Sequence, residues 1–189
     1  LFETGIHAKT PRTGFIFLGT GEQSLAEHTN RTVYIGFTLA HLAGADVGKV
    51  VQMCLFHDFP EGRTGDFNYV YKLYNDADEE RAIEDAIKDL PFAAAIRELF
   101  HEYHGRKSLE SLLAKDADII ELLLFLKEQL DLGNTRAKEW IDLAHPRLKT
   151  ELGKQLGEEA LRTTSSDWWL KANNASWHID AQKKDGEAS

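Results

Sequence analysis

The chain has 189 residues, 42% hydrophobic and 28% charged, the balance of an ordinary soluble globular domain with a sizeable core. A formal charge of −9 argues against the clustered Lys and Arg that grip phosphate backbones, so nucleic-acid polymers are not expected partners. The single cysteine, Cys54, excludes a disulfide framework and suits a reducing cytoplasm, and there is no run of about 18 apolar residues to span a membrane.

Residues 1–21 open with a short helical possibility and pass into Thr10-Pro11-Arg12-Thr13-Gly14-Phe15, which has turn chemistry; Gly19-Thr20-Gly21 is a second break. Ser24-Leu25-Ala26-Glu27 fits a capping box, in which each side chain bonds the other's backbone N–H, so a helix starts here with His28 in its first turn. His28, Thr32, Ile35, Leu39 and Leu42 recur at helical spacing and predict one inward stripe. Gly44 ends this helix and Asp46 caps the next, which is predicted to run to Asp58 because Pro60 disfavours a helical Phe59. The second helix is apolar until it meets His57-Asp58. Val50, Cys54 and His57 share one face, and Val47, Val51 and Asp58 the neighbouring one. An ionisable pair placed there is costly to bury without partners, and a metal ion is one such partner.

Residues 59–75 read as loop, with Phe67, Tyr69, Val70, Tyr71, Leu73 and Tyr74 forming an aromatic patch that could pack over it. Asp76–Leu90 reads as a charged amphipathic helix, and Pro91 suits the first turn of another over 91–104. Ser108 caps a long helix to about Leu130, stopped by Gly133; from Ile119 to Leu126 it is apolar on nearly every side, as a central helix would be. Helices over 134–144 and 146–162 are split by Pro146, and Trp168-Trp169-Leu170 suits a packing anchor or dimer contact. No repeat and no strand-like alternation is present. The expectation is an all-α domain over residues 1–170 and a polar C-terminal tail over 171–189, whose Asn174-Ala175-Ser176 matches a glycosylation acceptor without meaning in a cytosolic chain.

Four residues stand out: His28, His57, Asp58 and one aspartate of Lys115-Asp116-Ala117-Asp118. Two imidazoles and two carboxylates suit one divalent Mn, Fe, Co, Ni or Zn. On helical geometry Asp116 centres the Leu109, Leu112, Leu113, Ile120, Leu123 stripe, while Asp118 lies almost opposite, beside Leu122 and Phe125. Periodicity alone selects Asp116. His101 and His104 share a helix face and could hold a second metal; the plainer reading is a pair of rim histidines favoured by the helix dipole. His7, His41, His145 and His178 lack partners at useful spacing.

The order His, His-Asp, then a distant Asp in an all-helical chain resembles the HD-domain phosphohydrolase superfamily. Pro11-Arg12-Thr13-Gly14-Phe15, Ser24-Leu25-Ala26-Glu27-His28, His57-Asp58-Phe59-Pro60-Glu61, Thr64-Gly65-Asp66 and Lys115-Asp116-Ala117-Asp118 resemble its bacterial 5'-deoxynucleotidase branch, over roughly residues 8–130. The resemblance implies a five-helix core with extra C-terminal helices, a homodimer, and hydrolysis of (deoxy)nucleoside 5'-monophosphates to nucleoside and phosphate. It implies one divalent metal ion (Co, Mn, Zn, Fe, Ni or Mg) on His28, His57, Asp58 and Asp118, the family spacing choosing Asp118 over Asp116. It gives Glu61 a role supporting or shuttling protons near the nucleophilic water, Arg12 the phosphate, and Asp66 a sugar hydroxyl. Phe15 stands where that branch often carries Trp, close to the sugar. The competing readings are an HD-type phosphodiesterase or guanosine-tetraphosphate hydrolase, and a non-catalytic nucleotide-binding scaffold.

Overall fold

The computed structural model describes residues 1–170. The polar tail, with Asn174-Ala175-Ser176 and His178, lies outside them. Among the described residues there is no strand, only an isolated bridge between Pro11 and Ser24, so the all-α expectation holds.

A short 3-10 turn (Phe2–Ile6) leads to α1 (Phe15–Leu18), and the capping box then launches α2 (Leu25–Ala43). Ser24 Oγ accepts the Glu27 N–H at 3.2 Å, and a Glu27 carboxylate oxygen accepts the Ser24 N–H at 2.7 Å. Gly44 closes α2 with φ +66°, a left-handed conformation natural only to glycine-like residues. Asp46 caps α3 (Val47–Phe56) through the Lys49 N–H. These two helices lie close together because Gly36 has no side chain. A Cβ there would sit 2.5 Å from Cys54 Sγ and 3.3 Å from Val50 Cγ1.

The chain continues through α4 (Glu61–Thr64), α5 (Tyr71–Tyr74), α6 (Glu79–Ile87), α7 (Ala93–Gly105) and α8 (Leu109–Asp131). Then come α9 (Ala137–Ala144), a 3-10 turn (His145–Arg147), α10 (Glu151–Arg162) and α11 (Asp167–Leu170). The long α8 is the axis, packing against α2, α3, α7, α9 and α10. Its Leu113, Ile120, Leu123 and Leu126 are buried with Leu39 of α2 and Met53 of α3. A smaller cluster of Ile83, Ile87, Ile96 and Phe100 joins α6 to α7 and meets Phe56 and Phe59. No described helix is long and apolar enough to cross a membrane.

Several expected boundaries shift for local reasons. Leu42 is 64% exposed, since Ala43 packs against the core in the last turn of α2 instead. Helix α3 stops at Phe56, and His57 keeps helical angles while Phe59 and Glu61 donate into tighter turns. The segment read as loop holds two short helices, α4 and α5, and its aromatic patch is largely solvent-facing, with Tyr69, Leu73 and Tyr74 more than 70% exposed. Asp78 rather than Asp76 caps α6, which ends at Ile87, and α7 begins after Pro91 and Phe92. Pro146 sits in the 3-10 turn, and α10 starts later, where Thr150 accepts the Gly153 N–H at 2.9 Å. Trp168 and Leu170 are exposed rather than anchored in the core.

Candidate metal centre and phosphate pocket

His28 enters from the first turn of α2, His57 and Asp58 from the turn after α3, and Asp118 from the middle of α8. The fold carries these four to one point. The Nε2 atoms of His28 and His57 face each other at 3.2 Å. Asp58 Oδ2 lies 3.1 Å from His57 Nε2 and 3.5 Å from His28 Nε2, and Asp118 Oδ1 lies 3.3 Å from His28 Nε2 and 4.0 Å from His57 Nε2. Neighbouring donors around a cation with bonds of about 2.1 Å stand about 3.0–3.4 Å apart, so most of these spacings match the edges of a coordination shell. Both rings are fully buried in their side chains.

The far side of each ring fixes which nitrogen faces the cluster. His57 Nδ1 donates to the Cys54 carbonyl at 2.8 Å, which leaves Nε2 as the lone-pair atom. His28 Nδ1 meets Glu121 Oε2 at 2.5 Å. Glu121 is fully buried, and its other oxygen accepts from Gln23 Nε2 at 2.6 Å and from Arg31 Nε and Nη2 at 2.9 and 2.8 Å. A carboxylate behind an imidazole raises its basicity and sets its orientation, the usual support of a metal-binding histidine. Sequence reasoning missed Glu121. Its signal was present: a lone acid inside the apolar Ile119–Leu126 run, one turn beyond Asp118.

The electrostatics favour a cation. Burial and the Arg12 charge push the His28 imidazole down, but hydrogen bonds to Asp118, Asp58 and Glu121 outweigh them and lift it to about 10. Burial raises the Asp58 and Asp118 carboxyls, yet His57 with Arg12 and Lys115 with the histidines hold them well below the usual carboxylate range. Two carboxylates held ionised beside buried imidazoles supply the negative charge and the donors that a divalent ion needs, with the His28 proton given up on binding.

The structure separates the two aspartates of Lys115-Asp116-Ala117-Asp118. Asp116 turns away from the cluster, is fully buried, and accepts from the Lys149 N–H, the Thr150 N–H and the Thr150 hydroxyl at 2.8, 2.8 and 2.7 Å. It ties α8 to the start of α10. The stripe that pointed to Asp116 was real, but it faces a neighbouring helix.

Beside the cluster opens a cavity of about 770 Å³, lined by Arg12, Phe15, Asp58, Glu61, Asp66 and Asp118 among others. Arg12 Nη1 donates to Asp58 Oδ2 at 3.0 Å, and its Nε lies 3.6 Å from Asp66 Oδ2. Asp66 Oδ2 also accepts the Thr13 N–H at 3.1 Å, so it steadies the segment that carries Arg12. Phe15 stacks on Phe125 with ring centroids 4.0 Å apart. Glu61 is 9% exposed, and its Oε2 takes no hydrogen bond among the described residues. Burial, then the charges of Asp58 and Asp66, lift its carboxyl to about 9.

Two histidine readings resolve differently. His101 and His104 do not join the cluster; they reach Glu80 at 3.5 Å and Glu79 at 3.9 Å on α6. His7, which sequence spacing left as ordinary, is buried against the turn after α3. Its ring meets Phe59 edge-on at 5.2 Å, and a Cβ on Gly62 would come within 2.7 Å of it. Its carbonyl accepts the Ala26 N–H at 3.1 Å, so one residue ties the start of α2 to the His57-Asp58 turn.

The HD domain family matches residues 8–159. The 5'-deoxynucleotidase HDDC2 of Dictyostelium discoideum is 31% identical over 126 residues, covering 60% of this chain and 66% of that protein, just under two thirds of its length. A conserved hypothetical protein from Pyrococcus furiosus superposes with a TM-score of 0.70 at 22% identity, covering 86% of this chain and 97% of that one. A predicted metal-dependent phosphohydrolase from Magnetospirillum magnetotacticum MS-1 superposes with a TM-score of 0.63 at 24% identity, covering 85% and 89%. At these identities the structural likeness establishes the fold. With the family matched across most of its length, the chain belongs to the HD domain family.

Proposed function

We propose that this chain is a metal-dependent phosphomonoesterase that hydrolyses (deoxy)nucleoside 5'-monophosphates to nucleoside and phosphate. The observation that carries the reading is the convergence of His28, His57, Asp58 and Asp118 beside a cavity of about 770 Å³ whose wall includes Asp58, Asp118 and Arg12. The Dictyostelium relative's name supports the substrate class.

In this reading His28, His57, Asp58 and Asp118 hold one divalent ion. Such an ion lowers the pKa of water and polarises a phosphoryl oxygen. Arg12, braced by Asp58 and Asp66, presents the free edge of its guanidinium to phosphate oxygens and stabilises charge that spreads as the ester breaks. Glu61, buried in the cavity wall with Oε2 free of hydrogen bonds among the described residues, is placed to pass a proton to the departing 5'-oxygen. Asp66, with one oxygen committed to Thr13, offers the other to a sugar hydroxyl, and Phe15 supplies an apolar wall beside it.

The test is a metal-supplemented phosphatase screen over deoxy- and ribonucleoside monophosphates, with cyclic and bis-phosphorylated nucleotides included and His57→Ala as control. Phosphate release from 5'-monophosphates that vanishes in the control is expected. Cleavage confined to the cyclic or bis-phosphorylated compounds, or activity untouched in the control, would overturn the proposal.

A further inference from the structure

Lys115 lines the same cavity, from α8, one turn before Asp118. Its ammonium sits 2.5 Å from Asp118 Oδ2, and the two side chains are only 13% and 14% exposed. The Tyr103 hydroxyl lies 3.3 Å from the same oxygen, and the Lys115 Nζ stands 5.9 Å from the Tyr103 ring centre. The two oxygens of Asp118 are thus divided: Oδ1 faces the histidines, and Oδ2 faces Lys115 and Tyr103.

Arg12 pairs with Asp58 without such a division: Asp58 Oδ2 lies 3.0 Å from Arg12 Nη1 and also 3.1 Å from His57 Nε2 and 3.5 Å from His28 Nε2. Each carboxylate of the cluster therefore carries its own cation, one from the N-terminal segment and one from α8. An exposed Lys–Asp pair three residues apart on a helix needs no functional account, since such pairs contribute about 0–1 kcal/mol. This pair is different in being largely withdrawn from water and set in the cavity wall. Lysine has three N–H donors, and among the described residues only Asp118 is a hydrogen-bond acceptor for Lys115. Two donors remain for whatever fills the cavity.

Resting on the phosphomonoesterase reading above, we propose that Lys115 is a second phosphate-binding residue, contacting a non-bridging oxygen of the phosphoryl group that Arg12 also holds. Of the groups named above, Asp58, Asp66 and Asp118 carry three negative charges against the three positive ones of a divalent ion and Arg12, so Lys115 is the cation left to offset part of an incoming phosphate's charge. Its link to Asp118 is compatible with this role, because one ammonium can serve both anions at once.

The experiment compares metal-loaded wild type with Lys115→Met, Lys115→Gln and Lys115→Arg. Three readouts are taken: bound metal by mass spectrometry, thermal midpoint, and calorimetric titration with inorganic phosphate. The Met and Gln variants are expected to keep metal and fold while phosphate affinity falls on the order of tenfold, the cost of one charge-assisted bond. The Arg variant should recover part of it. Unchanged phosphate affinity in both neutral variants overturns the proposal. Loss of metal in both overturns it too, leaving Lys115 a positioning residue for Asp118. Should wild type bind phosphate in the predicted way yet hydrolyse no nucleotide, the substrate reading fails and the Lys115 contact stands.

Discussion

Glu121 Oε2 lies 2.5 Å from His28 Nδ1, joining the middle of α8 to the first turn of α2 through a fully buried carboxylate–imidazole contact. The same carboxylate is held by Arg31 and Gln23, so its position is set from three sides. Glu121→Gln keeps the shape and removes the charge that makes the imidazole a strong donor. Metal affinity should fall about 10–100-fold, read by competition with a coloured chelator. An unchanged affinity would show that His28 needs no such support.

Asp116 and Asp118 should give opposite phenotypes. Asp116→Ala strands the Lys149 and Thr150 N–H groups and unfastens α10, with an expected loss of roughly 2–4 kcal/mol in denaturant unfolding. Its metal content should stay at the wild-type level. Asp118→Ala should keep the fold and lose metal. Metal loss in the Asp116 variant with retention in the Asp118 variant would reverse the assignment.

Glu61 makes stability depend on pH in the metal-free protein. The folded carboxyl titrates at about 9, lifted by burial and then by Asp58 and Asp66, whereas its ordinary value is 4.5. Below pH 4.5 both folded and unfolded chains hold the proton and the group contributes no pH dependence. Above that value the unfolded chain ionises first, so stability declines until the folded group ionises near 9. Denaturant titrations between about pH 5 and pH 8 should show this decline in wild type and a flatter profile in Glu61→Gln. Parallel profiles would mean that the Glu61 proton is lost with little cost.

Gly36 is a packing position with a consequence for the site. Alanine there would press on Cys54 Sγ, and the Cys54 carbonyl is what holds His57 Nδ1. Gly36→Ala should cost about 1–3 kcal/mol as overpacking and weaken metal binding together, because the strain reaches His57 through a single residue. Thermal unfolding with and without added metal checks both effects. A destabilised variant whose metal affinity matches wild type would confine the strain to the helix pair.

Much of this was legible in the sequence wherever the signal is local. The capping box at Ser24, the caps at Asp46 and Ser108, and the Gly44 stop each report a backbone need that neighbouring residues meet. His28 and His57-Asp58 were visible because polar groups stood at the ends of apolar stretches. The choice between Asp116 and Asp118 was not readable from periodicity, since α8 is surrounded by helices and both its faces are buried. Which face meets histidines and which meets α10 depends on where α10 docks, a matter of contacts between distant parts of the chain. Glu121 and His7 were missed for a related reason. Each works by touching an element far along the chain, and neither carries a local motif.

His28, Asp118 and Glu121 ride on the long helices, and His57 is locked to the end of one. Arg12, Phe15, Asp66 and Glu61 sit on the short turns and connecting segments around them. On the proposed reading, the grip on an ion and the grip on a substrate are therefore built largely from different kinds of chain. His28, His57 and Glu121 are set by buried packing, so the helical frame tolerates little change. The surrounding strap of turns can be recut in length and side chain with the frame left intact. On the function proposed above, substrate choice can therefore be altered through the turns while the histidine–aspartate centre keeps its geometry.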